Sequence, residues 1–246
     1  MNNRLNILGV GVDTFDMKEA TDFLMHAVET DGLTSVYTPN SEIILHAYKN
    51  PDYCEALNRA GLITPDGIGV VYASKILKKP LPERVSGFDL ANELLKKCAP
   101  LGKTLYLFGG KPGVAERAAE KIVSLYPGIN IVGISDGYFD AEKEQKIIAD
   151  INDKKPDILF VCLGFPKQEL WIDAHSDLNA KVAMGIGGSL DVFAGEVKRA
   201  PEFFQKHGIE WLYRLIKQPS RFIRMLALPK FGFTVLLHGK KFIKQR

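Results

Sequence analysis

The sequence predicts an α/β fold, with a Rossmann-like, mostly parallel sheet flanked by helices. Short apolar segments rich in β-branched residues alternate with longer segments of helical periodicity. This alternation is typical of a parallel sheet that is covered on both faces. With 246 residues, 46% of them hydrophobic, the chain is long enough for one such domain and an appendage. The predicted strands are LNILGVGV, TSVYTP, TLYLFG, INIVGIS, DILFVCLG and KVAMGIG.

The N-terminal sequence and the cysteines indicate a cytoplasmic protein. The first predicted strand follows Met1 closely, without a basic segment, a long apolar stretch and a cleavage site before it. Cys54, Cys98 and Cys162 are widely separated and form no C-x-x-C pair. We therefore expect buried, reduced thiols rather than disulfides or zinc ligands.

The sequence pattern changes near residue 195. The predicted strands stop there, and the following segment is aromatic, basic and interrupted by prolines. We predict a catalytic domain over residues 1–195 and a helical appendage over residues 196–246. Residues 201–246 carry ten basic and two acidic side chains, a net charge of +8, which leaves −5 on the rest of the chain.

The appendage has the composition of a segment that binds at a membrane interface. Its longest apolar run is far shorter than the ~20 residues of a spanning helix. We predict peripheral binding to an anionic membrane surface, and the alternative is the solvated face of a helix docked on the core. One apolar helical face is predicted at Ile209, Leu212, Tyr213 and Ile216. A basic stripe follows if the helix continues past Pro219, at Arg214, Lys217, Arg221 and Arg224.

Several predicted strands end in glycine-containing loops. Open α/β sheets bind their ligands at the carboxyl ends of the strands, and glycines allow the backbone to approach a phosphate at a helix N-terminus. Three such loops favour a nucleotide-type ligand. The candidate substrate-binding residues at these strand ends are Thr38, Asn40, Gly109, Gly110, Gly164, Lys167, Gln168, Gly187, Gly188 and Asp191.

Two charged residues near these loops are candidates for catalysis. Asp66 precedes an apolar helical run, where it is either a helix N-cap or a base that takes a proton from an acceptor hydroxyl. Arg84 is either a solvated charge or a phosphate ligand, because a guanidinium can bind phosphate oxygens bidentately. For Asn40, too, a capping role is open.

No motif in the sequence indicates a metal-bridged diphosphate. The chain contains no D-x-D, H-E-x-x-H or G-x-x-x-x-G-K-[ST] motif. We therefore expect neither a metal nor a cofactor. The charge of a leaving group would then be met by arginine, lysine and helix N-termini.

Several motifs, taken together, resemble those of one bacterial family. They are T-x-N at Thr38 and Asn40, P-D-G-x-G-V-V from Pro65 to Val71, E-R-V-x-G-x-D from Glu83 to Asp89, G-x-P-x-Q-E from Gly164 to Glu169, G-x-G-G-x-x-D from Gly185 to Asp191, and R-A-P from Arg199 to Pro201. Over nearly its whole length, the chain resembles the WecG/TagA/CpsF glycosyltransferases.

The resemblance implies a reaction and its partners. These are transfer of N-acetylmannosamine from UDP-N-acetylmannosamine to undecaprenyl-diphosphate-linked N-acetylglucosamine, with inversion and a β-1,4 product, which builds the linkage unit of wall teichoic acid. Relatives that use N-acetylmannosaminuronic acid or a hexose share most of the motifs, so the sugar stays open. The resemblance also implies a peripheral enzyme on the cytoplasmic face of the cell membrane.

The resemblance further implies roles for single residues. Asp66 would be the general base, Arg84 would bind the diphosphate, and Thr38, Asn40 and Gln168 would supply polar groups to the pocket. The appendage would close over the active site at the membrane. The basic residues implied to face the acceptor diphosphate and the lipid are Arg214, Arg221 and Arg224.

Single features of the sequence are also compatible with two other classes of function. A nucleotide-dependent oxidoreductase would use the loop from Gly109 to Gly113, with Asp136 as an acidic residue about 20 positions further on. A membrane or nucleic-acid binding module would use the basic tail, but it leaves the glycine loops unexplained. We therefore expect an enzyme without a nucleic-acid partner. The sequence leaves open whether the protein is a homo-oligomer.

Overall fold

The structure is a computed structural model that describes residues 3–206, 208–217, 219 and 222–243. The side chains of Lys206, Arg214 and Ile223 also lie outside this description. The predicted fold class is confirmed: a six-stranded parallel sheet is flanked by helices.

The strands are β1 (Arg4–Ile7), β2 (Val10–Asp13), β3 (Thr34–Tyr37), β4 (Leu62–Ile63), β5 (Thr104–Gly109), β6 (Asn130–Ser135), β7 (Ile158–Cys162) and β8 (Val182–Gly185). The parallel sheet has the order β4-β3-β8-β7-β5-β6. The helices before the appendage are α1 (Met17–Ala27), α2 (Ser41–Lys49), α3 (Pro51–Asn58), α4 (Ile68–Ile76), α5 (Gly87–Cys98), α6 (Val114–Leu125), α7 (Ala141–Lys154), α8 (Lys167–Ala174) and α9 (Ser189–Phe193), with a 3-10 turn at Ala99–Leu101. The later helices are α10 (Glu202–Lys206), α11 (Glu210–Lys217), α12 (Phe222–Met225) and α13 (Ala227–Ile243).

The first predicted strand is wrong in its pairing. LNILGVGV forms an antiparallel hairpin of β1 and β2 rather than a strand of the parallel sheet. Leu8 and Gly9 make the turn with φ values of 53° and 101°, the left-handed backbone that a two-residue hairpin loop requires. Strand β4 was not predicted from the sequence, because two residues are too few for a periodic pattern.

The hairpin is tied to β4 through a buried carboxylate. Asp13 is fully buried, and its Oδ1 lies 3.1 Å from Arg4 Nε. Its Oδ2 accepts a hydrogen bond of 2.8 Å from the Ile63 N–H at the end of β4. Because Asp66 follows β4 by three residues, this contact helps to fix the position of a candidate catalytic residue.

Both faces of the parallel sheet are covered, as predicted. In β5, Tyr106 and Phe108 belong to one buried cluster, with the hairpin, α2, α3, α8 and α13. Leu105 and Leu107 belong to the other buried cluster, with α1, α5, α6 and α9. Alternate side chains of one strand therefore enter separate cores, which explains why the strands read as continuous apolar runs.

The last helix is part of the core. α13 packs against α2, α4 and β1, and its Phe231 and Val235 are 1% and 0% exposed. The approach is close, since a Cβ on Gly69 of α4 would lie 2.9 Å from Leu228 Cδ2. The boundary near residue 195 stays a prediction, but we expect residues 1–195 to lose part of their core when expressed alone. In the described ranges, no helix combines the length and apolarity needed to cross a membrane.

Candidate active site

A cleft of about 760 Å³ opens at the carboxyl ends of four adjacent strands. It is lined by Thr38 after β3, Asp66 after β4, Gly164 after β7 and Gly187 after β8. The C-terminal segment forms the opposite wall, with Glu210, Trp211, Tyr213, Lys217, Arg224 and Leu228. The cleft therefore lies between the sheet and the appendage.

Asp66 is not a helix cap. The N-cap of α4 is Gly67, with a φ of 95°. The Asp66 side chain instead accepts from the Gly87 N–H, with 3.5 Å between Oδ2 and the nitrogen, and its own backbone N–H donates to the Pro39 carbonyl. The capping alternative is therefore wrong for Asp66, and its carboxylate lies at the N-terminus of α5.

Gly87 brings three segments of the cleft together. A Cβ at this position would lie 2.7 Å from Thr38 Oγ1, so no larger residue fits without displacing Thr38. The same glycine donates to Asp66, while Ser86 caps α5 by accepting from the Asp89 N–H. The motif E-R-V-x-G-x-D thus packs the start of α5 against the loops after β3 and β4.

Asn40 is the N-cap of α2, so the capping interpretation is correct for it. Its Oδ1 accepts from the backbone N–H groups of Glu42 and Ile43, at 2.9 and 3.1 Å. Within the part of the chain that the structure describes, its Nδ2 makes no hydrogen bond. Asn40 also lines the cleft, so one side chain is able to cap the helix and to contact a substrate.

Gln168 holds the glycine loop after β8. It is 5% exposed, and its Oε1 accepts from the Gly187 N–H at 2.9 Å. Its Nε2 donates to Glu169 Oε1 at 2.7 Å, and Glu169 Oε2 accepts from the Tyr53 hydroxyl at 3.2 Å. Burial raises the pKa of the Glu169 carboxyl, partly offset by these hydrogen bonds. The amide of Gln168 is thereby fixed in one orientation.

The candidate arginine belongs to a charged cluster at the mouth of the cleft. Arg84 Nη1 lies 3.2 Å from Glu210 Oε2, and Arg84 Nη2 lies 3.4 Å from Asp89 Oδ2. Arg199 Nη2 lies 2.6 and 2.8 Å from the two oxygens of Asp89. Two guanidinium groups therefore share one carboxylate of the core, and the second carboxylate comes from the appendage.

Most of the predicted site residues line this cleft. They are Thr38, Asn40, Asp66, Arg84, Gly164, Gln168, Gly187, Gly188, Asp191 and Arg224. Arg221 lies outside the described residues, as does the side chain of Arg214. Gly109, Gly110 and Lys167 are not among the residues that line the cleft.

The structure gives a packing reason for the glycines at positions 109 and 110, at the end of β5. A Cβ on Gly109 would overlap the Cys162 carbonyl oxygen of the adjacent strand. The Gly110 N–H donates to the same carbonyl at 3.1 Å, and the Gly110 carbonyl accepts from the Gly137 N–H at 2.9 Å. Close packing of three backbone segments thus explains these glycines. Asp136, the acidic residue considered for an oxidoreductase, pairs instead with Lys143 at 3.0 Å.

Three charged residues of the cluster, Asp89, Arg199 and Glu210, were not predicted as site residues from the sequence. Asp89 and Arg199 lie in motifs that carry the family resemblance, which was a usable signal. Residues 201–246 hold ten basic and only two acidic side chains, and Glu210 is one of the two. This unusual charge was the signal in the sequence that could have pointed to Glu210.

Comparison with known proteins defines the class of protein as a glycosyltransferase. Residues 5–245 match the family described as "Glycosyl transferase WecG/TagA/CpsF family". The chain belongs to this family.

Curated relatives carry one common name. The chain is 43% identical over 229 residues to an N-acetylglucosaminyldiphosphoundecaprenol N-acetyl-beta-D-mannosaminyltransferase of Bacillus spizizenii strain W23, which covers 90% of this chain and 88% of the relative. A protein of the same name from Bacillus subtilis strain 168 is 44% identical, covering 83% and 80%. Another from Staphylococcus aureus strain MRSA252 is 37% identical, covering 99% and 96%.

Proposed function

We propose that the protein transfers N-acetylmannosamine from UDP-N-acetylmannosamine to undecaprenyl-diphosphate-linked N-acetylglucosamine. The names of relatives at 37–44% identity support this acceptor and this sugar. The observation that carries the proposal is the placement of a carboxylate, Asp66, and a guanidinium, Arg84, in one cleft beside the N-terminus of α5.

The proposed chemistry is a single displacement. Asp66 accepts the proton of the acceptor C4 hydroxyl while that oxygen forms a bond to the anomeric carbon of the donor sugar. The bond between this carbon and the β-phosphate oxygen breaks on the opposite side, so the configuration inverts and UDP departs. A positioned base of this kind contributes about 10²- to 10⁴-fold to the rate.

The departing UDP needs positive charge, which the cleft supplies. Arg84 offers two nitrogen atoms that are already placed for carboxylate oxygens and are therefore suited to phosphate oxygens. α5 is a helix of 12 residues whose N-terminus lies beside Asp66, and its dipole favours negative charge there. We propose that these groups do the work without a divalent metal ion.

The exposed face of α13 supports docking on an anionic membrane. Phe233, Leu236 and Leu237 are 67%, 58% and 72% exposed, on the side of the helix opposite to the buried Phe231. Lys230, Lys240 and Lys241 lie on the same helix. Each basic residue near an anionic leaflet contributes about 1 kcal/mol to membrane binding. Apolar side chains and lysines together have the character of an interfacial helix.

Flotation with lipid vesicles tests the membrane proposal. We expect the protein to bind vesicles containing phosphatidylglycerol, and the Phe233→Asp/Leu237→Asp variant to lose most of this binding. Val123→Asp/Leu125→Asp is the matched control, because it adds the same two charges at side chains of α6 that are 43% and 65% exposed. Equal binding by all three proteins would contradict the proposed face.

Turnover with defined substrates tests the reaction itself. The protein is incubated with UDP-N-acetylmannosamine, UDP-N-acetylglucosamine or UDP-glucose and a short-chain lipid-diphosphate N-acetylglucosamine, with and without EDTA. We expect a disaccharide only from UDP-N-acetylmannosamine, at a rate that EDTA does not change. Product from another sugar alone would refute the proposed donor, and loss of activity in EDTA would refute metal independence.

A further inference from the structure

Arg84 is held between a carboxylate of the core and a carboxylate of the appendage. Asp89 belongs to α5, whereas Glu210 begins α11 in the opposite wall of the cleft. Arg84 lies 3.4 Å from Asp89 and 3.2 Å from Glu210. Both distances are longer than the 2.6 Å between Arg199 and Asp89. A diphosphate that binds Arg84 would therefore compete with these carboxylates for the same positive charge.

Asp89 is the carboxylate that stays in place. Arg199 contacts both of its oxygens at 2.6 and 2.8 Å, and the Ser86 hydroxyl donates to Oδ2 at 2.5 Å. Arg199 is itself fixed, since its guanidinium carbon lies 4.9 Å from the centre of the Phe88 ring. The short contacts of Asp89 are thus made to Arg199 and Ser86, and its contact to Arg84 is the longest of the set.

Glu210 is the carboxylate that belongs to the appendage. It is 8% exposed, but it sits at the first residue of α11 rather than on the sheet domain. It contacts Arg84 at 3.2 Å, and Trp211 and Tyr213 of the same helix also line the cleft. If α11 moved away from the cleft, Arg84 would lose the contact to Glu210 and keep the contact to Asp89.

We propose that Glu210 is a positioning residue. Its carboxylate forms an ion pair with Arg84 until the diphosphate of the donor binds Arg84 instead. The exchange couples arrival of the nucleotide to a change in how α11 is held against the cleft. This inference depends on the proposed function, because it requires that Arg84 bind the diphosphate. Arg199 has the supporting role of keeping Asp89 from taking the position that Glu210 leaves.

Titration calorimetry with UDP tests the exchange. Glu210→Gln keeps the shape of the side chain but removes the competing charge, so we expect a Kd for UDP about three- to tenfold lower than in the wild type. Glu142→Gln is the matched control, since it removes a carboxylate from an exposed ion pair with Lys146 on α7, and it should leave the Kd unchanged. An unchanged or higher Kd in Glu210→Gln would overturn the inference.

Repeating the measurement in the Arg84→Gln variant separates a specific effect on UDP binding from a general loosening of the appendage. On Arg84→Gln, where the guanidinium is absent, Glu210→Gln should no longer improve UDP binding. A persistent improvement would show that Glu210 acts in another way, and would also overturn the inference. If the wild type binds UDP but Glu210→Gln gives no gain, only the inference fails. If UDP binds none of the proteins, including the wild type, the proposed function fails with it.

Discussion

Phe231→Ala measures how firmly the C-terminal helix is built into the fold. Phe231 is 1% exposed and packs in the cluster that contains the hairpin and α4. Truncation of a buried phenylalanine to alanine costs about 3 to 5 kcal/mol, through lost burial and the cavity left behind. Because α13 lies on the outside of the sheet domain, where neighbours can partly close the gap, we expect about 3 kcal/mol.

Phe233→Ala is the control for this substitution. Phe233 lies two residues away on the same helix but is 67% exposed. Both variants change helix propensity equally, so the difference between them isolates the contribution of burial. We expect Phe233→Ala to change the free energy of unfolding by less than about 0.5 kcal/mol.

Urea unfolding followed by circular dichroism gives both values. The midpoint for Phe231→Ala should fall well below that of the wild type, in a single transition. If the two variants were equally stable, α13 would not be part of the core. A separate early transition would likewise show that the appendage unfolds by itself.

Three further substitutions test two close backbone contacts and one buried carboxyl group. Gly87→Ala should lower turnover because its Cβ would meet Thr38 Oγ1 at 2.7 Å, and steady-state kinetics with an unchanged far-UV spectrum would check this. Gly109→Ala should destabilise the fold by more than about 1 kcal/mol, because its Cβ would overlap the Cys162 carbonyl; a thermal midpoint equal to the wild type would contradict it. Burial raises the pKa of Glu169 above 4.5, so the folded state keeps a proton that the unfolded state loses, and stability falls as pH rises above that value. Glu169→Gln should lack this fall, and urea titrations between pH 4.5 and 7.5 would detect it.

The architecture was largely predictable because the sheet is buried on both faces. Continuous apolar runs separated by helical periodicity gave five of the six main strands, from β3 to β8 with only β4 missed. The N-terminal run was misassigned because its two halves have the same apolar character as one longer strand. Only the backbone at Leu8 and Gly9 reveals the reversal of the chain.

The site was predictable where its residues follow strands directly. Thr38, Asp66 and Gln168 follow β3, β4 and β7 of one parallel sheet, so topology alone brings them to the same edge. Sequence patterns do not distinguish a glycine that admits a ligand from one that admits a neighbouring backbone, which explains why Gly109 and Gly110 were included.

The charged cluster depends on contacts between distant parts of the chain. Arg84 and Glu210 are separated by 126 positions, and Arg199 and Asp89 by 110. No local periodicity encodes such pairs. They follow from the docking of the appendage over the cleft, which only the folded structure shows.

The proposed reaction depends on Asp66 acting as the base in a cleft that holds a UDP-sugar. The most direct measurement compares turnover and UDP affinity for the wild type and Asp66→Asn, which preserves the shape of the side chain but not its basicity. We predict that kcat falls by about 10²-fold or more while the Kd for UDP stays within about twofold. Turnover near the wild-type level in Asp66→Asn would show that Asp66 is not the base.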